Sequence, residues 1–160
     1  MTGSAPEARR YALRLLAYRG RSEKELRERL TRKGYGTDVI AAVTADLRNA
    51  GFIDDAVLAS GLMRQAREGK LLGCRAARFF IERRGVGRDL AEAVMEYDED
   101  EELSTLRKLI GKRTRLSGVP QTPREKQRLW NFLARKGYAA RLIRKAMNDP
   151  DDEPDIDEEA

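Results

Sequence analysis

Three pairs of basic residues precede glycines at regular intervals, and they are the residues of this chain best suited to bind a charged partner. The pairs are Arg32-Lys33 before Gly34, Arg83-Arg84 before Gly85, and Arg135-Lys136 before Gly137. Further arginines lie upstream in the same segments: Arg27, Arg78 and Arg128. Cations in the last turn of a helix stabilise it by about 0.3–1 kcal/mol each through its dipole. The alternative is that repetition aligns the pairs along one edge, as a ridge that contacts a partner or DNA.

The chain lacks the residue types from which most catalytic centres are built. It contains no histidine, the commonest general base and metal ligand, and Cys74 is its single cysteine, so it can form neither an internal disulfide nor a cysteine-based zinc cluster. The segment "GVGRDL" at 85–90 imitates a dinucleotide-binding fingerprint, but a helical pattern precedes it where a strand is required. The acidic run 98–102 lies at a predicted helix start, where the helix dipole favours negative charge, so a bound metal is not needed to explain it. We therefore expect no enzymatic activity, no cofactor and no metal site.

Charge is distributed unevenly along the chain. Residues 149–160 contain eight acidic residues and no basic one, so the remainder carries 32 basic against 19 acidic residues. This excess of positive charge favours a polyanionic partner, either DNA or an acidic protein–DNA assembly. We predict that the acidic C-terminal tail is disordered. The tail either covers the basic surface and weakens unspecific DNA binding, or it only keeps the chain soluble.

The three glycines occupy the same place in a repeated helical pattern. They are separated by 51 and 52 residues, spacings comparable with those of helical repeat arrays. Apolar residues four and eight positions before each glycine share one helix face, and a second amphipathic pattern begins about three residues after it. A glycine in the left-handed conformation commonly ends a helix. Capping boxes at 22–25 and 122–125 mark two of the helix starts.

A further helix is predicted upstream of each glycine corner, at about residues 6–19, 54–68 and 99–116. The chain is therefore predicted to be all-α, with three tandem three-helix repeats followed by the acidic tail. The predicted boundaries are 1–51, 52–97 and 98–148 for the repeats and 149–160 for the tail. Because each repeat buries only a thin apolar stripe, we expect the repeats to stack into an elongated, curved array.

The glycine corner also resembles a helix-turn-helix, whose second helix enters the DNA major groove. The segments "TDVIAAVTADL" and "GRDLAEAVMEY" carry few residues suited to base edges, and only "AARLIRKAM" is basic. Sequence-specific DNA reading is therefore not expected, whereas salt-sensitive contact with phosphates stays open. Trp130 and Phe132 could stack on bases, but Trp130 lies beside Leu129 and Leu133 in a helix, which favours a place in the core.

Several motifs occur in a characteristic order. They are "RSEKELRERLTRKGY" from Arg21, "GFIDD" from Gly51 running into "VLASGLMRQA", a helix led by Gly73 and ending in "ERRGV", and "RLWNFLARKGY" from Arg128. This arrangement resembles the RecX family of bacterial recombinase regulators. The resemblance covers about residues 8–148 and leaves the acidic tail outside. It implies a fold of three tandem three-helix repeats with a curved shape.

The resemblance to RecX also implies a function. Members of that family bind the RecA recombinase, lodge in the groove of its filament on single-stranded DNA, and usually limit filament growth, ATP hydrolysis, strand exchange and coprotease activity. The implied setting is homologous recombination, DNA repair and the SOS response, and the family has no catalytic residues. Charge alone supports an alternative, a basic helical DNA-binding or architectural protein that acts without RecA.

The chain carries no signal for secretion or membrane insertion. Its N-terminus lacks an apolar targeting segment, and no run approaches the roughly 18 apolar residues of a membrane span. We expect a cytoplasmic protein without membrane contact, with weak, sequence-independent DNA contact possible. Nothing in the sequence requires a dimer, so we expect a monomer.

Overall fold

The computed structural model describes residues 3–95 and 98–148, and all regular elements in these ranges are helical. The all-α class predicted from the sequence is confirmed. The chain divides into two compact units, the first comprising Met1–Lys70 with Ala77–Glu96 and the second Leu71–Ala76 with Tyr97–Ala160. The tail predicted at 149–160 lies outside the described residues. None of the described helices has the length and apolar character needed to cross a membrane.

Helices of the first unit agree closely with the repeated pattern. They are α1 (Ala5–Tyr18), α2 (Glu23–Lys33), α3 (Thr37–Asn49), α4 (Asp55–Arg64), α5 (Cys74–Glu82), whose first residues belong to the second unit, and α6 (Arg88–Ala93). Helices α3 and α6 begin three residues after their glycines, as predicted. The end of the helix predicted at 54–68 differs, because the chain continues after α4 as a π-helical turn, Gln65–Gly69.

The core of the first unit lies between α1, α2 and α3. Ala8 and Ala12 of α1 have no exposed surface, and their small side chains allow neighbouring helices to approach closely. The leucines that fill this space, also fully buried, are Leu26, Leu30 and Leu47. Two of them are the residues eight and four positions before the first glycine, so the predicted inward face of α2 is confirmed. Truncation of such a leucine to alanine costs about 2–5 kcal/mol.

The second unit contains α7 (Glu99–Ser117), α8 (Pro123–Arg135) and α9 (Ala140–Asn148). Its core includes the fully buried Leu106, Leu133 and Ile143. Trp130 is partly buried and packs against this cluster, which confirms its predicted place in the core. The Tyr138 hydroxyl donates a hydrogen bond to a backbone carbonyl at 3.1 Å, and burial raises the pKa of this tyrosine.

The repeated glycines adopt the left-handed conformation that the sequence predicts. Their φ angles are 93° for Gly34, 81° for Gly85 and 92° for Gly137. After α2, the amide of Tyr35 donates to the carbonyl of Leu30 at 3.3 Å and completes the helix end. An added Cβ at Gly137 would lie 2.5 Å from the backbone nitrogen of Ala76. This last glycine is therefore required by close backbone approach as well as by its φ.

One of the two predicted capping boxes is complete. At the start of α8, Thr122 Oγ1 accepts the amide of Glu125 at 3.2 Å, and the Glu125 carboxylate accepts the amide of Thr122 at 3.1 Å. At the start of α2, Ser22 Oγ accepts the amide of Glu25 at 3.1 Å. The Glu25 carboxylate binds arginines instead of the Ser22 amide, so the second box is only half formed.

Candidate partner-binding surface

The basic surface of the first unit is organised around the start of α2. Ser22 Oγ donates to the carbonyl of Arg84 at 2.7 Å and joins α2 to the loop after α5. A Cβ on Gly85 would lie 2.4 Å from Ser22 Oγ, so the loop after α5 needs a glycine for space as well as for its φ. The amide of Glu23 donates to Asp55 Oδ1 at 3.0 Å. The starts of α2 and α4 and the end of α5 are thereby held together.

Two neighbouring aspartates at the start of α4 have different structural roles. Asp54 Oδ1 accepts the amides of Ala56 and Val57 at 2.9 and 3.0 Å, and so caps the helix. Asp55 instead accepts the amide of Glu23. Burial raises the pKa of Asp55, although that hydrogen bond favours its charged form. The "GFIDD" motif thus supplies a helix cap and a bond between helices.

Glu25 is the counter-ion of two arginines within the loop between α1 and α2. Arg19 binds it in a bidentate manner, with Nη1 3.0 Å from Oε2 and Nη2 2.5 Å from Oε1. Arg21, which is 7% exposed, donates Nη1 to Oε1 and Nε to the carbonyl of Leu15 at 3.2 Å. Burial raises the pKa of Glu25, but the hydrogen bonds and charges of Arg19 and Arg21 outweigh it and hold the pKa below its ordinary value.

Arg84 lies within this assembly and is not a free surface cation. Its Nη2 donates to the carbonyl of Gly20 at 3.0 Å, and its side chain is 24% exposed. Its Nε is buried without a hydrogen bond, 3.9 Å from Glu25 Oε2. Burial, followed by the charge of Arg19, lowers the pKa of the Arg84 guanidinium. Sequence reasoning missed this structural role, because Arg84 occupies the same position in its repeat as the lysines of the other two pairs.

The other paired cations are more accessible. Arg32 lies 3.8 Å from Glu28 in an exposed ion pair, and Arg135 is exposed at the end of α8. Three more stand over aromatic rings, which attract and orient a cation. Measured from charged group to ring centre, these are Lys33 over Tyr11 at 5.9 Å, Arg83 over Phe79 at 5.7 Å, and Lys136 over Phe132 at 5.8 Å.

The upstream arginines have carboxylates close by. Arg27 Nε donates to Glu23 at 2.9 Å, and Arg78 lies 3.5 Å from Glu92. The amides of Thr122 and Gln121 lower the pKa of Glu125 by donating hydrogen bonds to its carboxylate, and the charge of Arg128, which is exposed one turn later in α8, adds to this effect. These positions therefore carry less unpaired positive charge than the sequence count indicates.

Within the first unit, the basic residues form two patches. Arg32 and Lys33 lie at the end of α2, whereas Arg84 packs against its start. An 11-residue helix is about 16 Å long, so the two patches are separated by that length. The alignment of the basic pairs along one edge, which the repeat raises as an alternative, stays a prediction. The second unit carries its own pair, Arg135 and Lys136, at the end of α8.

The acidic side chains of the described residues do not cluster as metal ligands. Within residues 3–95 and 98–148, no group of three or more histidine, cysteine, aspartate or glutamate side chains could hold a metal ion. The arginine–carboxylate contacts described above join helices or lie at the open surface. The fold and surface define an all-helical protein with basic patches at its helix ends.

Similarity to known proteins gives the family. The model of the first three-helix domain of RecX matches residues 8–47, and that of the third matches residues 99–147. Regulatory protein RecX of Thermobifida fusca is 32% identical over 154 residues, which cover 90% of this chain and 83% of that protein. Regulatory protein RecX of Chlorobium limicola is 31% identical over 144 residues, covering 90% and 89%. The chain belongs to the RecX family, whose members are named as regulatory proteins.

Solved structures support the same fold. The crystal structure of RecX from Lactobacillus salivarius superposes with a TM-score of 0.79 at 18% identity, covering 92% of this chain and 96% of that one. A second structure of regulatory protein RecX gives a TM-score of 0.75 at 21% identity, covering 90% and 71%. At these identities the likeness concerns the fold alone.

Proposed function

We propose that this protein is a non-catalytic regulator of RecA nucleoprotein filaments. It binds in the groove of the filament on single-stranded DNA and mostly inhibits filament growth, ATP hydrolysis and strand exchange. The observation that carries this proposal is the similarity to regulatory RecX proteins, which extends over about nine-tenths of the chain. The matched domains include α1 to α3 and α7 to α9, so both ends of the described chain take part in the similarity.

The proposed organisation distributes contacts along the filament. Three repeats span 1–51, 52–97 and 98–148, followed by the acidic tail, and the protein acts as a cytoplasmic monomer. Each repeat binds weakly, and their linkage multiplies the affinity. The proposed contacts are the exposed Arg32, Lys33, Arg83 and Arg135 and the half-buried Lys136, assisted by Arg27, Arg78 and Arg128 and by the exposed quarter of Arg84.

The experiment compares binding to filament with binding to bare DNA. Fluorescence anisotropy on labelled single-stranded DNA is measured with and without saturating RecA and a non-hydrolysable ATP analogue. We expect binding to the filament to be at least about tenfold tighter than binding to bare DNA at physiological salt, because the filament adds protein contacts to phosphate contacts. Equal affinities would contradict the proposal.

A second candidate is a basic DNA-binding or architectural protein that acts without RecA. The observation that favours it is the charge of residues 98–148, which contain 13 basic and 6 acidic residues. This function requires affinity for bare DNA that falls steeply with salt, since each neutralised phosphate releases counter-ions. Tight, salt-sensitive binding to bare DNA with no gain on the filament would favour this candidate.

A further inference from the structure

A groove of about 970 Å³ lies on the first unit, apart from the basic helix ends. Residues of α4 and of the π-helical turn Gln65–Gly69 line it, together with the loop between α1 and α2 and Arg84. Gly51 and Phe52, which follow α3, complete the lining. π-helical turns within helices are frequent at functional sites. Among the cations proposed above as contacts, Arg84 lines this groove and the others do not.

The lining combines exposed apolar surface with excess positive charge. Phe52 is 53% exposed and Val57 is 69% exposed, and large apolar side chains grouped in a concave surface are typical of interaction sites. The charged lining residues are four arginines and two acids, Arg19, Arg21, Arg64 and Arg84 against Asp54 and Glu68. Asp54 already caps α4. Glu25 outside the lining already pairs with Arg19 and Arg21, so four arginines face three carboxylates, and the groove offers an apolar surface beside a small excess of positive charge.

Gly61 keeps this groove open. It lies within α4 and lines the groove, and a Cβ added there would meet nothing within 4 Å. A glycine inside a helix is unfavourable relative to alanine, and here neither packing nor a positive φ requires one. By contrast, a Cβ at Gly20 on the opposite side would lie 3.2 Å from Leu58 Cδ1, so the loop passes close to α4 at that point.

We propose that the groove binds an acidic peptide segment carrying an apolar side chain, presented by the protein partner. The apolar side chain packs on Phe52 and Val57, and the acidic residues of the peptide face Arg64 and Arg84. The proposal deepens the proposed function and rests on it, because the partner is taken to be RecA in its filament.

A nucleic-acid strand fits the groove less well than a peptide. Arg19 and Arg21, the cations of the loop wall, already share the carboxylate of Glu25. A phosphate backbone needs a track of available cations, and bases need aromatic platforms on which to stack. Phe52 is the single aromatic side chain of the lining, and aliphatic Leu58 and Leu62 beside it provide neither a cation nor a ring. They are suited to an apolar side chain of a peptide.

Filling the groove tests the proposal. Gly61→Trp inserts a large side chain where a Cβ has free space, so the variant is expected to fold, as checked by circular dichroism and urea unfolding. Gly111→Trp is the matched control, because Gly111 also lies within a helix, its added Cβ also meets nothing within 4 Å, and it does not line the groove. We expect Gly61→Trp to weaken binding to the RecA filament at least about tenfold, with Gly111→Trp unchanged.

A charge reversal provides a second variant, which tests the groove even if Gly61→Trp does not fold. Arg64 is exposed on the groove side of α4, and Arg64→Glu is expected to weaken filament binding about three- to tenfold. Arg10→Glu makes the same change at an exposed position of α1 that does not line the groove, and it is expected to have little effect. Equal effects of the two reversals would indicate a general charge effect and overturn the assignment.

A photo-crosslinker identifies the class of the occupant. Benzoylphenylalanine in place of Val57 is irradiated in the presence of RecA filament, and the adduct is mapped by mass spectrometry. An adduct on an acidic segment of RecA supports the proposal, whereas an adduct on DNA or on a segment without acidic residues overturns it. If the wild-type protein does not bind the filament, the proposed function itself fails. If it binds and Gly61→Trp binds equally well, only the groove proposal fails.

Discussion

Replacing Glu25 with glutamine removes the charge that Arg19 and Arg21 share while keeping the size of the side chain. Loss of one partner from a buried ion pair costs about 3–5 kcal/mol. Arg21 is 7% and Glu25 14% exposed, but Arg19 is 35% exposed and can turn towards water. Glutamine also keeps one oxygen that accepts a hydrogen bond. We therefore expect Glu25→Gln to lower the free energy of unfolding by about 2–3 kcal/mol.

Urea unfolding at neutral pH measures this loss, with Glu28→Gln as the control. Glu28 is 51% exposed and lies 3.8 Å from Arg32, so its neutralisation should change the free energy of unfolding by less than about 0.5 kcal/mol. If Glu25→Gln costs no more than Glu28→Gln, the arginine assembly does not stabilise the fold and the reasoning is refuted.

The same pair of proteins gives a pH dependence with a defined sign. The pKa of Glu25 is lowered in the folded state, so its contribution is present above the unfolded value of about 4.3 and is lost as the pH falls through the folded value. The stability difference between the wild-type protein and Glu25→Gln should therefore shrink in acid. A difference that is constant between neutral pH and pH 3 would contradict this assignment.

Three further predictions concern the glycine corners, the basic pairs and the tail. Gly34→Ala should lower the free energy of unfolding by about 1 kcal/mol, because its φ is positive. Gly137→Ala should lower it by at least about 1 kcal/mol more, because the added Cβ would also lie 2.5 Å from a neighbouring backbone. Thermal unfolding compares the two variants, and equal losses would contradict the packing argument. Arg83→Glu should weaken filament binding about three- to tenfold with an unchanged unfolding midpoint. Arg84→Glu should lower the midpoint, because it places a carboxylate beside the carbonyl of Gly20 in the α1–α2 loop. An Arg84→Glu protein as stable as the wild type would count against the structural role of Arg84. Removal of residues 149–160 should tighten binding to bare DNA several-fold at low salt, and an unchanged affinity would leave the tail no masking role.

Local chemistry explains why much of the helical framework could be predicted. The left-handed glycines and the Thr122 cap act over a few residues, so their signals are readable in the sequence. Gly137 meets Ala76 far along the chain, and this second requirement leaves no local trace. The π-helical turn after α4 likewise has no repeat-based signal, since the apolar pattern there continues that of an α-helix.

The candidate surface was less predictable than the fold. Arg84 has the residue type and spacing of an exposed basic pair, and its structural role follows from the hydrogen bond of its guanidinium to the carbonyl of Gly20, 64 residues earlier. Glu25 suits a capping box by position, but two arginines that precede the cap, Arg19 and Arg21, compete for its carboxylate. A contact between residues distant in sequence therefore decided the first outcome, and competition among neighbouring charged residues decided the second.

The rate of ATP hydrolysis by RecA on single-stranded DNA, measured as this protein is titrated in, tests its function as a filament regulator most directly. RecA is held in excess over its DNA sites, and binding to bare DNA is titrated in parallel. We predict that the rate falls at protein concentrations well below that of RecA, where bare DNA is hardly bound. A fall that only follows the saturation of bare DNA, or no fall at any concentration, would contradict regulation of the RecA filament.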